Sequence, residues 1–385
     1  MEKNQKKLIV FMPSMDGGGV EKNLVIVSNY LSKHIKNLTL ITFDDGFNKK
    51  LSKKIKIINF RKKSNRKFTK YFKYFICLLI LSREIIKNRH TSVISFQANI
   101  YTIILSSILR FDLIIRSNSS PSGWTKNYIK NFLFKVFFRL PKFIIVNSFD
   151  FKREIDNKFS IKSVLIYNPL NKNEILLKSK EKTNLKLFRR RESLKLINIS
   201  RFTDQKDHLT LLKAFKEIHD IIEVELLIIG YGTNKNLIQN FVEKNNLQNK
   251  IKILKFQKNP YKFIKRSDVF VITSKYEGLP NVLLEALTLK KFIISSNCPT
   301  GPKEILENGK YGFLFKTKNY KELSKLILKY AKNKSKFDNK IESGYKSLSR
   351  FDLDINGKKY LSNSDISTLL KNPLALHTPQ KTIPA

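Results

Sequence analysis

Acidic residues are scarce in this sequence: 31 Asp+Glu stand against 74 Lys+Arg over 385 residues, a formal net charge of +43. Cysteine is nearly missing. Cys77 and Cys298 alone cannot build a disulfide framework or a cysteine-based zinc site, and their rarity points to a reducing compartment. Long apolar runs are missing as well. Leu8–Met12 is followed by Pro13 and Asp16, which is short for a signal-peptide core and reads as a strand. The longest later candidate, Tyr74–Leu81, is far below the about 20 residues a spanning helix needs. Core-forming residues are plentiful: at 42% hydrophobic and 11% aromatic, wholesale disorder is excluded. At about 150 residues per domain, the length predicts two to three domains. A cytosolic protein is expected, with its charge still to be explained. Nucleic acid, an anionic membrane, a phosphorylated ligand or a merely solvated Lys-rich surface would each account for it.

Short apolar strands alternate with helical stretches. In the first half the strand candidates are Leu8–Met12, Leu38–Phe43, Val93–Phe96, Leu113–Arg116, Phe143–Asn147 and Val164–Tyr167. The pattern restarts with Lys195–Ser200, Glu225–Ile229, Lys252–Lys255, Val269–Thr273, Phe292–Ser295 and Phe313–Phe315. Strands separated by helices of ten or more residues indicate parallel βαβ units, so two series predict two doubly wound α/β domains. The break lies near Asn168-Pro169, and the charged stretch from Lys178 to Glu192 has the chemistry of a linker. The expected layout is a first domain over 1–170, a linker over 171–193, a second domain over 194–340 and a C-terminal segment with tail over 341–385. Ligands of open α/β sheets sit beyond the carboxyl ends of strands, which places the site in the cleft between the domains.

The first strand runs into Gly17-Gly18-Gly19-Val20-Glu21, which is neither G-x-G-x-x-G nor a Walker loop. Three glycines let backbone approach a ligand and aim a helix N-terminus at negative charge, although a tight strand-to-helix turn would also use them. The stronger signal follows the strand Val269–Thr273: Glu277-Gly278-Leu279-Pro280-Asn281-Val282-Leu283-Leu284-Glu285-Ala286-Leu287. Pro280 suits a first helical turn, whose free N–H groups form an anion site. Glu277 precedes that helix and Glu285 lies more than a turn inside it. The two carboxylates are thereby spaced to grip sugar and ribose hydroxyls on either side of a diphosphate. A purely structural account would make Glu277 a dipole-stabilising acid and Glu285 a surface residue.

This stretch resembles the E-x7-E motif of retaining, nucleotide-sugar-dependent glycosyltransferases of family 4. Asn198-Ile199-Ser200-Arg201-Phe202 with Gln205-Lys206-Asp207 is similar to the family segment that supplies an Arg and a Lys to the donor diphosphate. Ile228-Ile229-Gly230-Tyr231-Gly232 resembles its G-x-G turn, and Ser296 to Ile305 and Asn308 to Leu314 resemble the segments that follow. The resemblance covers roughly residues 194–316 and thins in the first domain to Gly17–Glu21 and Tyr167-Asn168-Pro169. It implies the GT-B fold, two Rossmann-like domains facing across a cleft, and retention at the anomeric carbon with no metal or other cofactor. The implied catalytic residues are Glu277, Arg201 and Lys206. Arg201 and Lys206 would neutralise the leaving diphosphate, while Glu277 would contact the donor sugar near its 3-hydroxyl. Glu285 would hold the ribose. Gly230, Gly232, Gly278, Leu279, Pro280, Asn281 and Val282 would line the donor site, facing Gly17, Gly18 and Gly19.

Many family members carry a first-domain cleft histidine. Here that neighbourhood reads Arg116-Ser117-Asn118, and the five histidines lie elsewhere. Arg116 reads either as a contact for an acceptor phosphate or as a strand end pairing on the surface. Asp352-Leu353-Asp354 reads as chance, not as a metal site. The basic excess is patterned: twelve Lys/Arg and no acid from Lys49 to Lys73, and again no acid from Leu113 to Phe149. Trp124, Tyr128, Phe132, Lys135 and Arg139 share one helical side, which fits a lipid headgroup boundary or a core stripe with snorkelling cations. The expected protein transfers a sugar from a nucleotide sugar, a UDP-sugar first among them, to a lipid-linked or surface-polysaccharide acceptor. It would work on the cytoplasmic side of an anionic membrane, held by segments 49–73 and 116–142, with no nucleic acid as partner. A soluble transferase on a small or storage glycan and a non-catalytic basic α/β protein are the alternatives.

Overall fold

In the computed structural model, which describes residues 7–15, 18–46, 48–60, 68–118, 128–183, 188, 190 and 192–362, each half of the chain builds its own parallel sheet. The first holds β1 (Lys7–Phe11), β2 (Leu38–Thr42), β3 (Lys56–Asn59), β4 (Thr91–Ser95), β5 (Asp112–Arg116), β6 (Phe143–Val146) and β7 (Val164–Leu165). Their spatial order is β3-β2-β1-β4-β5-β6-β7. Between them run α1 (Gly19–Leu31), α2 (Lys70–Lys87), α3 (Asn99–Leu109), α4 (Tyr128–Phe137) and α5 (Phe149–Phe159). The second sheet holds β8 (Leu194–Ile199), β9 (Val224–Ile229), β10 (Ile251–Leu254), β11 (Val269–Ile272), β12 (Phe292–Ser296) and β13 (Phe313–Phe315) in the order β10-β9-β8-β11-β12-β13. Its helices are α6 (Lys172–Ser179), α7 (His208–Ile218), α8 (Lys235–Lys244), α9 (Tyr261–Ile264), α10 (Asn281–Thr288), α11 (Pro302–Ile305), α12 (Tyr320–Lys332) and α13 (Asp338–Lys346), and α14 (Leu353–Ser362) ends the described chain.

Continuous apolar strands such as Ile9-Val10-Phe11 and Val269–Ile272 are buried on both faces, as a sheet sandwiched between helices requires. Strand order reverses between β1 and β4 in one sheet and between β8 and β11 in the other. Chains leaving adjacent strands in opposite directions open a crevice there, so the two reversals mark where a ligand fits. The Gly18–Gly19 turn follows β1, Arg201 follows β8 and Glu277 follows β11.

Three sequence expectations change. The segment 171–193 is not linker throughout: Lys172–Ser179 is a helix, capped by Asn171 Oδ1 on the Glu174 amide at 3.1 Å, with Ile175 buried in the second domain. The described part of the C-terminal segment, up to residue 362, is shared between the two domains. α13 packs on the second domain, while α14 crosses to α1 and buries Tyr360 in the first core. Gly357 permits this crossing, because a Cβ there would lie 2.6 Å from the Tyr30 ring. The Asp352-Leu353-Asp354 run opens that helix: Asp352 Oδ1 accepts the Asp354 and Ile355 amides at 2.8 and 3.2 Å. Finally, β3 is an edge strand the sequence did not announce. Gly17, Trp124 and the tail beyond 362 lie outside the described residues. No described helix is long and apolar enough to cross a membrane.

Candidate active site

The loop after β8 delivers Arg201 and Lys206, and glycine shapes it. A Cβ on Gly230 would sit 1.9 Å from the Ser200 carbonyl oxygen, and one on Gly232, at φ +148°, would sit 2.3 Å from that of Phe202. These glycines therefore face protein backbone and let the Arg201 loop close down on the sheet. The Phe202 amide donates to the Tyr231 carbonyl at 2.7 Å, which pins it. Arg201 is exposed. Lys206 is half-buried, and beneath it His208 lies buried with Nε2 2.9 Å from Ser200 Oγ. Burial, with Lys206 nearby adding to it, pulls the His208 pKa down to about 4, so the ring is neutral at physiological pH.

The loop after β11 meets it. Lys206 Nζ lies 2.5 Å from Glu277 Oε1, which also accepts from Ser274 Oγ at 2.6 Å. The Glu277 carbonyl takes the Thr300 hydroxyl at 2.5 Å, fixing the loop against the segment after β12. Glu277 is only 6% exposed and Glu285 4%, so Glu285 is not the surface residue of the purely structural account. Burial pushes the neighbouring Cys298 thiol up to about 12, with the Glu277 charge contributing, and leaves it inert as a nucleophile. Pro280 is the N-cap of α10, one position ahead of the first turn expected for it, and Asn281 and Val282 open the helix with free amides.

The first domain closes over this edge. Gly278 is in contact with it: a Cβ would lie 2.4 Å from the Asn118 carbonyl oxygen and 3.2 Å from Asn147 Nδ2. Asn281 Nδ2 donates to the Gly19 carbonyl and to Asn23 Oδ1, both at 3.1 Å. The Gly18 amide donates to Glu21 Oε2 at 2.8 Å, holding the glycine turn in shape. Lys22 of α1 reaches across to donate to Glu285 of α10, and to Tyr261 Oη at 2.6 Å. Burial alone would lower the Lys22 pKa, but the Glu285 charge and Tyr261 outweigh it and raise the pKa above the ordinary value. Glu304, at the start of α11, accepts the Phe149 amide of α5 at 2.8 Å and the Tyr167 hydroxyl at 2.6 Å. An acid at a helix N-terminus is favourable; here it is supplied by the other domain.

Arg116 is not on the surface. It is fully buried, between the Phe96 and Tyr360 rings at 5.5 and 5.8 Å, and donates through Nη2 to Asn168 Oδ1 at 2.6 Å. Asn168 in turn donates to the Leu279 carbonyl at 3.0 Å and to Asn281 Oδ1 at 2.7 Å. A polar chain thus runs from β5 through the hinge to the start of α10. Burial pulls the Arg116 pKa down to about 9, leaving it charged at neutral pH.

Glu277, Lys206, Gly278, Leu279, Pro280, Asn281, Val282, Glu285, Gly18 and Gly19 therefore converge on one interdomain edge, and Arg201 stands exposed in the loop that delivers Lys206. Lys22, Asn168, Tyr261, Glu304 and His208 were not anticipated. The sequence signals for them were Asn168-Pro169 at the hinge and the Ser296–Ile305 segment that contains Glu304.

Residues 179–347 match the family model described as glycosyl transferases group 1. An uncharacterized glycosyltransferase of Methanocaldococcus jannaschii is 35% identical over 234 residues, 55% of this chain and 57% of that protein. The Campylobacter jejuni N-acetylgalactosamine-N,N'-diacetylbacillosaminyl-diphospho-undecaprenol 4-alpha-N-acetylgalactosaminyltransferase is 23% identical over 92% of this chain and 99% of its own. Among solved structures, Anabaena HepE in complex with UDP and glucose superposes with a TM-score of 0.77 at 17% identity, covering 94% of this chain and 100% of that one. That likeness extends the two-sheet GT-B architecture to both halves. With the group 1 domain forming the second half of such a fold, the chain is a glycosyltransferase.

Proposed function

We propose that the chain is a retaining, family-4-type glycosyltransferase that moves a sugar from a UDP-sugar to a lipid-linked or surface-polysaccharide acceptor. The observation that carries this reading is the Lys206–Glu277 pair at 2.5 Å beside the start of α10, with Glu285 eight positions on and the first-domain glycine turn opposite. Breaking the sugar–phosphate bond builds negative charge on the leaving oxygen. Lys206, Arg201 and the free amides of Asn281 and Val282 are cations and dipoles aimed at such a charge. Arg201 would hold phosphate oxygens bidentately and Lys206 would act as a point charge. Glu277, paired with Lys206, would face the sugar ring as positive charge grows at its anomeric carbon. Glu285 would take the ribose hydroxyls in exchange for Lys22, so the domains part to admit the donor and re-close on it. The scheme uses no metal.

The acceptor class is supported by the relatives: the Campylobacter enzyme is named for a diphospho-undecaprenol-linked acceptor, and another relative, of Staphylococcus aureus, for poly(ribitol-phosphate). Action on such an acceptor places the chain at the cytoplasmic face of a membrane. The test is incubation with a panel of nucleotide sugars and an undecaprenyl-diphosphate-linked saccharide, with proton NMR of the anomeric centre. Transfer with the donor's own anomeric configuration is expected; an inverted product, or transfer from no nucleotide sugar, would refute the reading.

A further inference from the structure

Three neighbouring helices of the first domain turn apolar side chains outward. On α2, Tyr71, Phe75, Leu79 and Ile86 recur at near-helical spacing and are 73, 60, 54 and 59% exposed. On α3, Ile104 and Ile108 are 38 and 69% exposed, and on α4, Phe132 and Val136 are 66 and 45% exposed. The helices pack side by side in the order α2, α3, α4. Their inward faces are already occupied: Cys77, Leu81 and Ile85 of α2, Ile103 of α3 and Phe134 of α4 belong to the first-domain core. The outward stripes are thus a second apolar face with no partner among the described residues. Eight half-exposed large side chains present on the order of 1,000 Å² of surface, against the 300–600 Å² of the largest patch on an ordinary monomer. Phe132, Lys135 and Arg139 of the aromatic–basic stripe read from the sequence lie on this exposed side of the α4 region, and the side chains of its other members, Trp124 and Tyr128, lie outside the described residues.

Charge identifies what covers the face. Lys70, Arg83, Lys87 and Lys135 stand exposed around the apolar stripes, and the one carboxylate on the three helices, Glu84, is held by Lys7 at 2.5 Å. A second copy of this chain would set two such basic rims against each other. An anionic surface with an apolar interior matches both features. We infer that the α2–α3–α4 face docks in the headgroup and upper acyl region of an anionic lipid bilayer. The face also leads to the site. Lys73, on the inner side of α2, bonds Asp44 at 2.8 Å, and Asp44 holds the Met15 amide at 3.0 Å ahead of the glycine turn. Asn99 at the start of α3 donates to the Arg116 carbonyl at 3.1 Å. The first turns of α2 and α3 therefore rim the cleft, and a lipid-anchored saccharide rising from the bilayer would arrive at its mouth. This last step rests on the acceptor class proposed above; the docking itself does not.

The test is flotation of the full chain with phosphatidylcholine vesicles, with and without one-third phosphatidylglycerol, at physiological and at high salt. The wild-type protein is expected to float with the anionic vesicles, less at high salt but still measurably, because part of the contact is apolar. The triple variant Leu79→Gln, Ile108→Gln, Phe132→Gln, its fold checked by circular dichroism, is expected to partition at least tenfold less. Unchanged flotation of that variant, no flotation of the wild type, or a wild-type dimer that the variant turns into a monomer would each overturn the proposal. Nucleotide-sugar turnover without vesicles stays as it is in all these cases, so failure of docking and failure of the catalytic reading are told apart.

Discussion

Exchanging Lys206 and Glu277, singly and together, probes the centre of the site. At 2.5 Å and with side chains 13 and 8% exposed, the pair has a gross attraction of about 7 kcal/mol at an effective dielectric near 20. Most of that offsets the cost of taking both charges out of water. Lys206→Met leaves the Glu277 carboxylate buried with only the Ser274 hydroxyl, and should cost about 3–5 kcal/mol of stability. Glu277→Gln leaves an amide oxygen that still accepts from Lys206, and should cost about 2 kcal/mol. In the double variant neither charge is stranded, so its loss should fall short of the sum by about 2 kcal/mol. Urea unfolding followed by circular dichroism on the four proteins yields this coupling. Losses that add to within about 0.5 kcal/mol would show that the two side chains do not hold one another, and would refute the argument. In turnover, Lys206→Met should lose on the order of 10²–10³-fold, the size seen when one donor to a developing oxyanion is removed.

Three further perturbations follow from the geometry. Gly230→Ala drives a methyl group against the Ser200 carbonyl and should destabilise by about 2–3 kcal/mol, whereas Gly46→Ala, with nothing within 4 Å, should change urea stability by less than about 0.5 kcal/mol. His208 is neutral in the fold and protonates near pH 6.5 when unfolded. The stability it contributes is complete above pH about 6.5 and falls as pH drops towards about 4, by up to about 3 kcal/mol. Urea midpoints across that interval should slope less in His208→Gln; parallel slopes would contradict the assignment. Arg116→Met deprives Asn168 Oδ1 of its donor and should cost about 2 kcal/mol, and Arg116→Lys should not restore it, because the ammonium cannot replace the planar fork between Phe96 and Tyr360. A lysine variant as stable as the wild type in urea would contradict this.

The two sheets were legible because strands buried on both faces must be continuous apolar runs. β3 escaped because it is an edge strand: Lys54 and Lys56 lead into it, and residues 56–59 stay partly exposed. α6 escaped because Ile175 is the one apolar residue it buries, with Ser179 beside it, while Leu176 and Leu177 stand exposed. α14 reads as a polar stretch, and only Tyr30, more than 300 residues away, explains its Gly357. The donor-side residues were legible for a similar reason. They follow strand ends in short segments, where Glu277, the helix start and Glu285 are fixed by local geometry. Lys22 on Glu285, Asn168 on Leu279 and Asn281, and Glu304 on α5 join residues more than 100 positions apart and leave no local pattern. Gly230 and Gly232 were expected to line the donor site, and the structure sets them against backbone of the Arg201 loop.

The central claim is that this interdomain edge binds a nucleotide sugar and breaks its sugar–phosphate bond. Its most direct test is release of nucleoside diphosphate from a panel of nucleotide sugars by the wild-type chain and by Glu285→Gln and Lys206→Met, each checked for retained fold. Release from at least one UDP-sugar is expected, falling by two orders of magnitude or more in both variants. Release that proceeds undiminished in both, or from no nucleotide sugar at all, would contradict it.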